Sequence, residues 1–473
     1  MTLLKSKSSY DVIVIGAGSA GSSAALRART FGTSVCLIED QYLGGDCPNY
    51  ACIPSKALFE GTELLRMVRK AKMCGIHISG LEIDFQKMIQ SVRKVVDQVT
   101  GTPCGQAYQD FFQAQGIHIE FGKAVFEDEH TVIIEKKNDK IRLKAKAFVI
   151  ATGSSLFIPP IKGITDISFL TYKDILNLSN IPKSLAIIGG GPVGCEFATF
   201  FGALGSKVSL ISKTTLLDRE DSFIGSFVED QLEKQKVEVF TNTEIQRIFM
   251  ARGSIYGIEL NNFEHQEKTI ACERILLATG KHGNILDLNP SKIGLQTTSR
   301  GYISVSSKLQ SHVKHIFAAG DITGGFQFTH TAHKEGQIAG YNAACIARRK
   351  KGLKILDERV VPRVIFVHPE VACVGLSEEE AKKMYQSIRV VTIPLENLGR
   401  YVVDREPIGF IKMIIQTKTR TILGAHLIGP RAGDIIHEIA LAIHLQIKVD
   451  VLDEMIHAFP TYAEAITEAA SRF

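Results

Sequence analysis

Long apolar runs are missing from this chain. No stretch of about 18 consecutive apolar residues occurs, so we expect no membrane-spanning helix. The nine residues before Tyr10 also lack the apolar core of a secretion signal. The cytoplasm is therefore the expected location.

Charge of one sign is also scarce. Lys and Arg number 55 against 50 Asp and Glu, a formal net charge of +5 over 473 residues. That excess is too weak to indicate a nucleic-acid surface, and we predict no nucleic-acid partner. The basic run at 348–351 fits the solvated end of a helix.

The nine cysteines are an odd number and stand mostly in apolar segments, as do Cys36, Cys272 and Cys373. This pattern is typical of buried free thiols and not of a secreted disulfide framework. Cys47 and Cys52 differ, because they lie in the polar segment GGDCPNYACIPSK. In a reducing compartment such a close pair is more often catalytic than structural.

The length predicts about three domains, and 45% hydrophobic residues with 22% charged residues are ordinary for a globular protein. Residues 11–15 form an apolar β-branched run, which predicts a strand. A glycine turn, a helical segment and a second strand follow, and the second strand ends on Glu39. Gly16, Gly18 and Gly21 at this spacing predict a dinucleotide site, with the pyrophosphate at the helix N-terminus and Glu39 on the ribose.

The same pattern occurs a second time. The strand at 185–188 leads into Gly189, Gly191 and Gly194, and then into a helix and another strand. Each lobe also closes with a strand that runs into Ala-Thr-Gly, at 151–153 and at 278–280. Two such folds imply two dinucleotides, or one dinucleotide bound by both lobes.

The rest of the chain has a different texture. A strand ending in Ala-Gly-Asp places Asp321 at a turn, where its carboxylate can accept from a polyol hydroxyl. From about residue 352, strands are followed by helices, which predicts a separate α+β domain.

Taken together, these motifs resemble the flavoprotein disulfide reductases with two dinucleotide folds, from about residue 10 to the C-terminus. The family includes dihydrolipoamide dehydrogenase, glutathione reductase and mercuric reductase. The resemblance implies an α/β chain in which an NAD(P)H domain is inserted into an FAD domain, followed by an α+β dimerisation domain and assembly as a homodimer. The implied domains are FAD-binding (1–155), NAD(P)H-binding (156–280), FAD-binding again (281–350) and dimerisation (351–473).

The resemblance also implies roles for individual residues. Cys52 matches the thiol nearest the flavin, and Cys47 matches the thiol that meets the substrate. Lys56 and Glu196 match an ion pair near the reactive nitrogen of the flavin. The implied FAD contacts are Gly16, Gly18, Gly21, Glu39, Asp46, Lys56, Ala124, Gly153 and Asp321. The implied NAD(P)H contacts are Gly189, Gly191, Gly194, Lys213, Arg219 and Gly280.

The chemistry supports the thiol roles independently. A thiolate beside oxidised flavin needs a lowered pKa, and Pro54 indicates that a helix starts near Cys52. The positive end of that helix favours the anion.

Two departures from the family pattern concern a thiol neighbour and the nucleotide. Ala51 replaces a glycine before the second cysteine, which is a small change. Ser212 stands where a member preferring NADH carries an acid, and Lys213 and Arg219 follow. An acid repels a 2′-phosphate, whereas serine with cations accepts it. We predict NADPH as the preferred reductant, with NADH still accepted; exposed surface cations are the alternative reading.

A third departure concerns the proton donor. Thiol-handling members supply a His–Glu pair from a segment like HxHPTxxE, which here reads HAFPTYAE. The catalytic histidine position is Phe459, while Glu464 keeps the position of its partner. Phenylalanine cannot transfer a proton, and such a group typically contributes about 10²–10⁴-fold to rate. His457 can substitute only if the loop re-aims it; otherwise it packs at the dimer interface.

Mercuric reductase also lacks this histidine, but it uses a further C-terminal cysteine pair, and no cysteine follows Cys373 here. The leading hypothesis is an FAD-dependent NAD(P)H oxidoreductase of the mercuric-reductase-like branch. It passes electrons through Cys47 and Cys52 to a metal ion, a quinone or a small disulfide. The alternatives are a dihydrolipoamide dehydrogenase and a flavin-loaded redox sensor. No resident metal is predicted.

Overall fold

The computed structural model describes residues 7–101, 105–137, 139–251, 253, 255–262 and 266–473. Cys104 lies outside these residues. Across the described ranges, no helix is both long and apolar enough to cross a membrane.

Helices and strands alternate after each glycine turn, whereas other parts of the chain have several helices or several strands in succession. In chain order the helices are α1 (Ser19–Arg29), α2 (Asp46–Asn49), α3 (Cys52–Ala71), α4 (Phe85–Thr100), α5 (Gln106–Ala114), α6 (Pro192–Ala203), α7 (Ser222–Lys234), α8 (Thr329–Ala347), α9 (Glu378–Met384), α10 (Gly399–Val403), α11 (Ala432–His444), α12 (Val449–Glu454) and α13 (Glu464–Ala470).

The strands of the first half are β1 (Ser9–Ile15), β2 (Val35–Glu39), β3 (His118–Phe121), β4 (Lys123–Asp128), β5 (Thr131–Glu135), β6 (Lys140–Ile150), β7 (Ser154–Leu156), β8 (Ser184–Ile188), β9 (Lys207–Ile211) and β10 (Glu238–Phe240). The remaining strands are β11 (Thr243–Met250), β12 (Tyr256–Asn262), β13 (Glu267–Cys272), β14 (Arg274–Leu277), β15 (Lys281–Gly283), β16 (Ile316–Ala318), β17 (Arg363–Ile365), β18 (Val371–Gly375), β19 (Ile388–Pro394), β20 (Phe410–Gln416) and β21 (Ile422–Ile428).

The chain divides into two compact units, and the first comprises Met1–Leu58, Ile83–Phe157 and Gly280–Asp357. Its main sheet has the order β3-β2-β1-β6-β5-β4, with β16 also paired to β6. Strands β3, β2, β1, β6 and β16 run parallel, while β4 and β5 form an antiparallel extension. The apolar residues of β1 and β2 are buried on both faces, as parallel strands covered on both sides require.

The second unit comprises Phe59–Glu82, Ile158–Thr279 and Glu358–Phe473. It holds a parallel sheet of order β10-β9-β8-β14 and an antiparallel sheet of β11, β12 and β13. A third, antiparallel sheet has the order β17-β18-β21-β20-β19. Apolar residues of α11 and α13 pack against this last sheet in one core.

The predicted fold class is confirmed: in each of two sheets a parallel strand leads into a glycine turn, and an α+β domain ends the chain. Helix α3 begins at Cys52, two residues before Pro54. The basic run at 348–351 follows the end of α8 and is exposed, as expected. The residue boundaries of the four domains stay a prediction.

Candidate active site

The first glycine turn holds the backbone close to the neighbouring strand end. Gly16 has φ +96°, and a side chain there would place its Cβ 2.3 Å from the carbonyl oxygen of Ala151. A Cβ on Gly21 would lie 1.7 Å from the oxygen of Gly16. Gly18, which has no side chain to cap α1, precedes that helix. Its N-terminal N–H groups are therefore available to an anion such as a pyrophosphate.

Glu39 ends β2 beside this turn. Its carboxylate accepts from the backbone N–H of Ala17 at 2.7 Å and of Gln41 at 2.9 Å. Burial raises the pKa of Glu39 to about 7, and the two N–H donors oppose that rise. Additional hydroxyl donors would favour the carboxylate form, which is what ribose hydroxyls offer.

Asp321 follows β16 and lies in the same unit. Its Oδ2 accepts from the hydroxyl of Ser154 at 2.6 Å and from the amine of Lys281 at 2.9 Å. The pKa of Lys281 is raised: burial lowers it, but the charges of Asp321, Asp46 and Cys52 outweigh burial. Lys281 was not among the predicted residues, yet it lies within electrostatic reach of three of them.

Cys47 and Cys52 are brought together as predicted. Cys47 lies in the short helix α2, Cys52 is the first residue of α3, and their thiols are in hydrogen-bond contact. That contact with Cys52, and then burial, raise the pKa of Cys47. The inner position of Cys52 and the outer position of Cys47 stay predictions.

Thr329 is a further residue at the thiols. Its hydroxyl oxygen lies 3.2 Å from the sulfur of Cys52, and it begins α8. The N-termini of α3 and α8 thus meet at the same sulfur. Both positive helix ends favour a thiolate there. The sequence predicted the contribution of the α3 N-terminus to this thiolate. It did not predict the contribution of α8.

The other predicted FAD residues also belong to the first unit. Asp46 begins α2, and Lys56 lies one turn into α3. Ala124 is buried on β4. Gly153 has φ +70° and open space where a side chain would point. Their contacts with FAD stay predictions.

The second glycine turn repeats the first. Gly189 has φ +121°, and a Cβ there would lie 2.2 Å from the oxygen of Ala278. A Cβ on Gly194 would lie 1.9 Å from the oxygen of Gly189, while Gly191 faces open space. In each lobe, the backbone oxygen of the alanine in Ala-Thr-Gly thus leaves no room for a side chain on the first glycine. Gly280, two residues after Ala278, belongs to the first compact unit.

The predicted NADPH residues lie after β9. Ser212 is buried, and Lys213 is exposed with its amine 2.6 Å from Glu244. That ion pair gives Lys213 a partner within the protein. This agrees with the alternative interpretation, in which Lys213 is an ordinary surface charge. The preference for NADPH stays a prediction, with Arg219 as its main candidate residue.

Glu196 is buried on α6, and its Oε1 accepts from the backbone N–H of Phe366 at 3.0 Å. It belongs to the second unit, whereas Lys56 belongs to the first. Their ion pair stays a prediction.

The segment HAFPTYAE presents an exposed aromatic ring where the family has a base. Phe459 is 78% exposed. The ring nitrogens of His457 are held at 2.9 Å by Glu438 Oε1 and at 2.8 Å by the hydroxyl of Thr467. Both nitrogens of His457 therefore have partners within its own domain, which argues against its replacing the missing histidine.

Glu464 contacts backbone donors. Its two carboxylate oxygens accept from the N–H of Gly399 at 3.1 Å and of Arg400 at 2.8 Å. It thereby binds the start of α10, as an acid at a helix N-terminus does. Its predicted catalytic role stays a prediction.

Comparison with known proteins identifies the class. Residues 10–336 match the family described as "Pyridine nucleotide-disulphide oxidoreductase", and residues 361–470 match the dimerisation domain of that family. The chain therefore belongs to the pyridine nucleotide-disulphide oxidoreductase family and is an enzyme. Members of the family use FAD and NAD(P)H.

Particular relatives differ in their substrates. The chain is 31% identical to "Mercuric reductase" of Staphylococcus aureus, over 98% of this chain and 82% of the relative. It is 32% identical to a "Dihydrolipoyl dehydrogenase" of Bacillus subtilis, over 96% of this chain and 97% of the relative. A similar solved structure is "HOCl-induced flavoprotein disulfide reductase RclA from Escherichia coli", with TM-score 0.83 and 27% identity over 98% of this chain and 99% of that one.

The residues present fit FAD. The turn at Gly16 leaves a cradle that a side chain would fill, and Glu39 is a buried carboxyl that further hydroxyl donors would favour in its charged form. The sulfur of Cys52 lies at the N-termini of α3 and α8, and Cys47, Cys52 and Thr329 belong to the same unit. No role was predicted from the sequence for Thr329 or Lys281, because their contacts with Cys52 and Asp321 depend on how distant segments are placed by the fold.

Proposed function

We propose that this enzyme passes electrons from NADPH to a soft metal ion through Cys47 and Cys52. The observation that carries the proposal is a thiol pair served by two helix N-termini, with Phe459 in place of a base. An acceptor that binds thiolates directly needs no protein base, because electron transfer to it requires no proton delivery. Cations with affinity for sulfur fit that requirement.

When bound, FAD supplies the chemistry that takes hydride from NADPH and reduces the disulfide. The residues of this chain then hold the product of that step. We assign the thiolate to Cys52, beside the hydroxyl of Thr329, and the thiol that meets the acceptor to Cys47. Reoxidation of this thiolate–thiol pair to the disulfide releases two electrons and one proton. Two Cu²⁺ ions, or one Hg²⁺ ion, take up those two electrons.

The names of the similar proteins support a metal acceptor. One relative is a mercuric reductase, and a solved neighbour is titled "Cu(II) complex of HOCl-induced flavoprotein disulfide reductase RclA from Escherichia coli". For this chain the same class of acceptor is our inference. A quinone or a small disulfide would be reduced more slowly. We further propose a cytoplasmic homodimer, built through the dimerisation domain.

Dihydrolipoamide is the second candidate substrate, because dihydrolipoyl dehydrogenases are equally similar to this chain. A dithiol has to exchange protons with a base during reaction. His457 is the nearest histidine in sequence to the missing one, and its ring nitrogens contact Glu438 and Thr467. We therefore expect slow lipoamide turnover.

An acceptor screen tests the proposal. FAD-loaded enzyme and NADPH are mixed anaerobically with Cu²⁺, Hg²⁺, oxidised lipoamide, oxidised glutathione or a quinone, and NADPH oxidation is followed. We expect a metal ion to give the highest kcat/KM, and Cys52→Ser to abolish that rate. Equal metal reduction by Cys52→Ser would refute the dithiol route, and fast lipoamide reduction that collapses in His457→Ala would favour the second candidate.

A further inference from the structure

One face of the C-terminal sheet carries a row of polar side chains. Arg363, Cys373, His426 and Lys412 are direct cross-strand neighbours on β17, β18, β21 and β20. Directly opposed residues share a face of the sheet, so these side chains form one continuous line. Cys373 and His426, at its centre, are completely buried.

Two acids from the segment before α7 lie over this row. Glu220 accepts from Arg363 in a bidentate pair at 2.9 to 3.0 Å. Asp221 is completely buried, and its two oxygens lie 3.0 and 2.9 Å from the amine of Lys412. The ligand atoms of Glu220, Cys373 and His426 all lie within 4.8 Å of one another.

The two ring nitrogens of His426 differ in their contacts. Its Nε2 contacts the backbone oxygen of Leu376 at 3.2 Å. In the part of the chain that the structure describes, no hydrogen-bond partner is found for its buried Nδ1. A histidine that donates one N–H to a backbone carbonyl and keeps the other nitrogen bare has the arrangement of a metal ligand. A buried polar atom left without a partner otherwise costs about 1–3 kcal/mol.

We propose that Glu220, Cys373 and His426 form a binding site for a divalent cation of the zinc class. Thiolate, imidazole and carboxylate are the three side-chain ligands that Zn²⁺ takes in proteins. The three residues come from three separate segments, so an ion would fix the segment ahead of α7 to the C-terminal sheet. None of them belongs to the dithiol site.

The charges around the cluster accept such an ion. The three carboxylates of Glu220, Asp221 and Glu378 are in ion-pair contact with the three cations of Arg363, Lys412 and Lys382. These ion-paired groups together with Cys373 carry a net charge of +1 once a divalent ion has replaced the thiol proton of Cys373. Glu220 can keep Arg363 as a partner, because a carboxylate has about four lone-pair sites.

Zinc binding by the full-length, FAD-loaded protein tests the proposal. The background carries Cys47→Ser and Cys52→Ser, so that the redox thiols cannot hold the ion. After chelator treatment, one equivalent of Zn²⁺ is added and the protein is dialysed. We expect one zinc per chain to be retained. X-ray absorption should show a single sulfur ligand together with nitrogen and oxygen ligands.

Variants connect that signal to the cluster. Cys373→Ser and His426→Gln should each weaken zinc binding by about 100-fold or more, since even outer-shell changes typically cost 10–100-fold. Cys345→Ser, at another buried thiol, should leave affinity unchanged. A sulfur-free absorption spectrum, loss of zinc on dialysis, or equal binding by Cys373→Ser would overturn the proposal. The spectrum of the unmutated cluster decides the matter even if a variant fails to fold.

Discussion

The hydroxyl of Thr329 lies 3.2 Å from the sulfur of Cys52, although 277 positions separate the two residues in sequence. This contact places a donor and two helix N-termini at the thiol that we assign to the flavin side. The hydroxyl therefore stabilises a thiolate at Cys52, where a charge-assisted hydrogen bond contributes about 1.5–3 kcal/mol.

We expect Thr329→Val to slow the alkylation of Cys52 at neutral pH by about 10-fold or more, since each 1.4 kcal/mol is a factor of ten. Thr329→Ser keeps the hydroxyl and should react like the parent protein. Both are compared in a Cys47→Ser background, and peptide mass spectrometry separates Cys52 from the exposed Cys74. An unchanged rate in Thr329→Val would remove Thr329 from the site.

Binding of FAD should depend on pH through Glu39. Burial raises the pKa of this carboxyl to about 7 before the cofactor binds, and ribose hydroxyls favour its charged form. Below pH 7 a proton must therefore leave on binding, so affinity should fall about tenfold per pH unit. Above pH 7 affinity should be flat. Reconstitution of the apoprotein, followed by flavin fluorescence, measures the curve.

The matched variant is Glu39→Gln, which cannot ionise. It should bind FAD more weakly at pH 8, with little change between pH 5.5 and 8. If Glu39→Gln kept the slope of the parent protein, another group would be responsible for the pH dependence.

Nucleotide preference should respond more to Arg219 than to Lys213. The amine of Lys213 is 2.6 Å from Glu244, so part of its charge is already compensated. We expect Arg219→Ala to lower kcat/KM for NADPH by about tenfold and to leave the value for NADH nearly unchanged, because only NADPH carries the 2′-phosphate. Lys213→Ala should have a smaller effect in the same direction.

Lys207 offers the control for this pair of variants. It is an exposed lysine paired with Glu238 in the same lobe, and Lys207→Ala should alter neither value. Equal kcat/KM for NADPH and NADH in the parent enzyme would contradict the predicted preference.

Local sequence was enough to predict the parts of the molecule that local sterics decide. Gly16 and Gly189 are needed because the backbone carbonyl of an alanine, Ala151 or Ala278, lies against each of them. The repeated motif can be recognised directly in the amino-acid sequence. The contact of Thr329 with Cys52 was not predictable in this way, because it depends on how α8 is placed. The cluster of Glu220, Cys373 and His426 was hidden for the same reason.

Phe459 and Glu464 supply the last prediction, which concerns the missing base. A methyl group placed on Gly399 would lie 3.0 Å from ring atoms of Phe459 and 3.2 Å from Oε2 of Glu464. The ring of Phe459 and the carboxylate of Glu464 therefore both lie beside Gly399. A histidine at position 459 would find an acid within reach to orient and charge it, as general acid–base catalysis requires.

We thus expect Phe459→His to raise lipoamide turnover by at least about 10-fold. A well-placed general acid–base group typically contributes ~10²–10⁴-fold. Phe459→Leu, which removes the ring without adding a base, should give no gain, and reduction of Cu²⁺ should be similar in all three proteins. Adding Glu464→Gln to Phe459→His should reverse most of the gain. If Phe459→His stayed as slow as the parent enzyme with lipoamide, the absent histidine would not be what limits this enzyme toward dithiols.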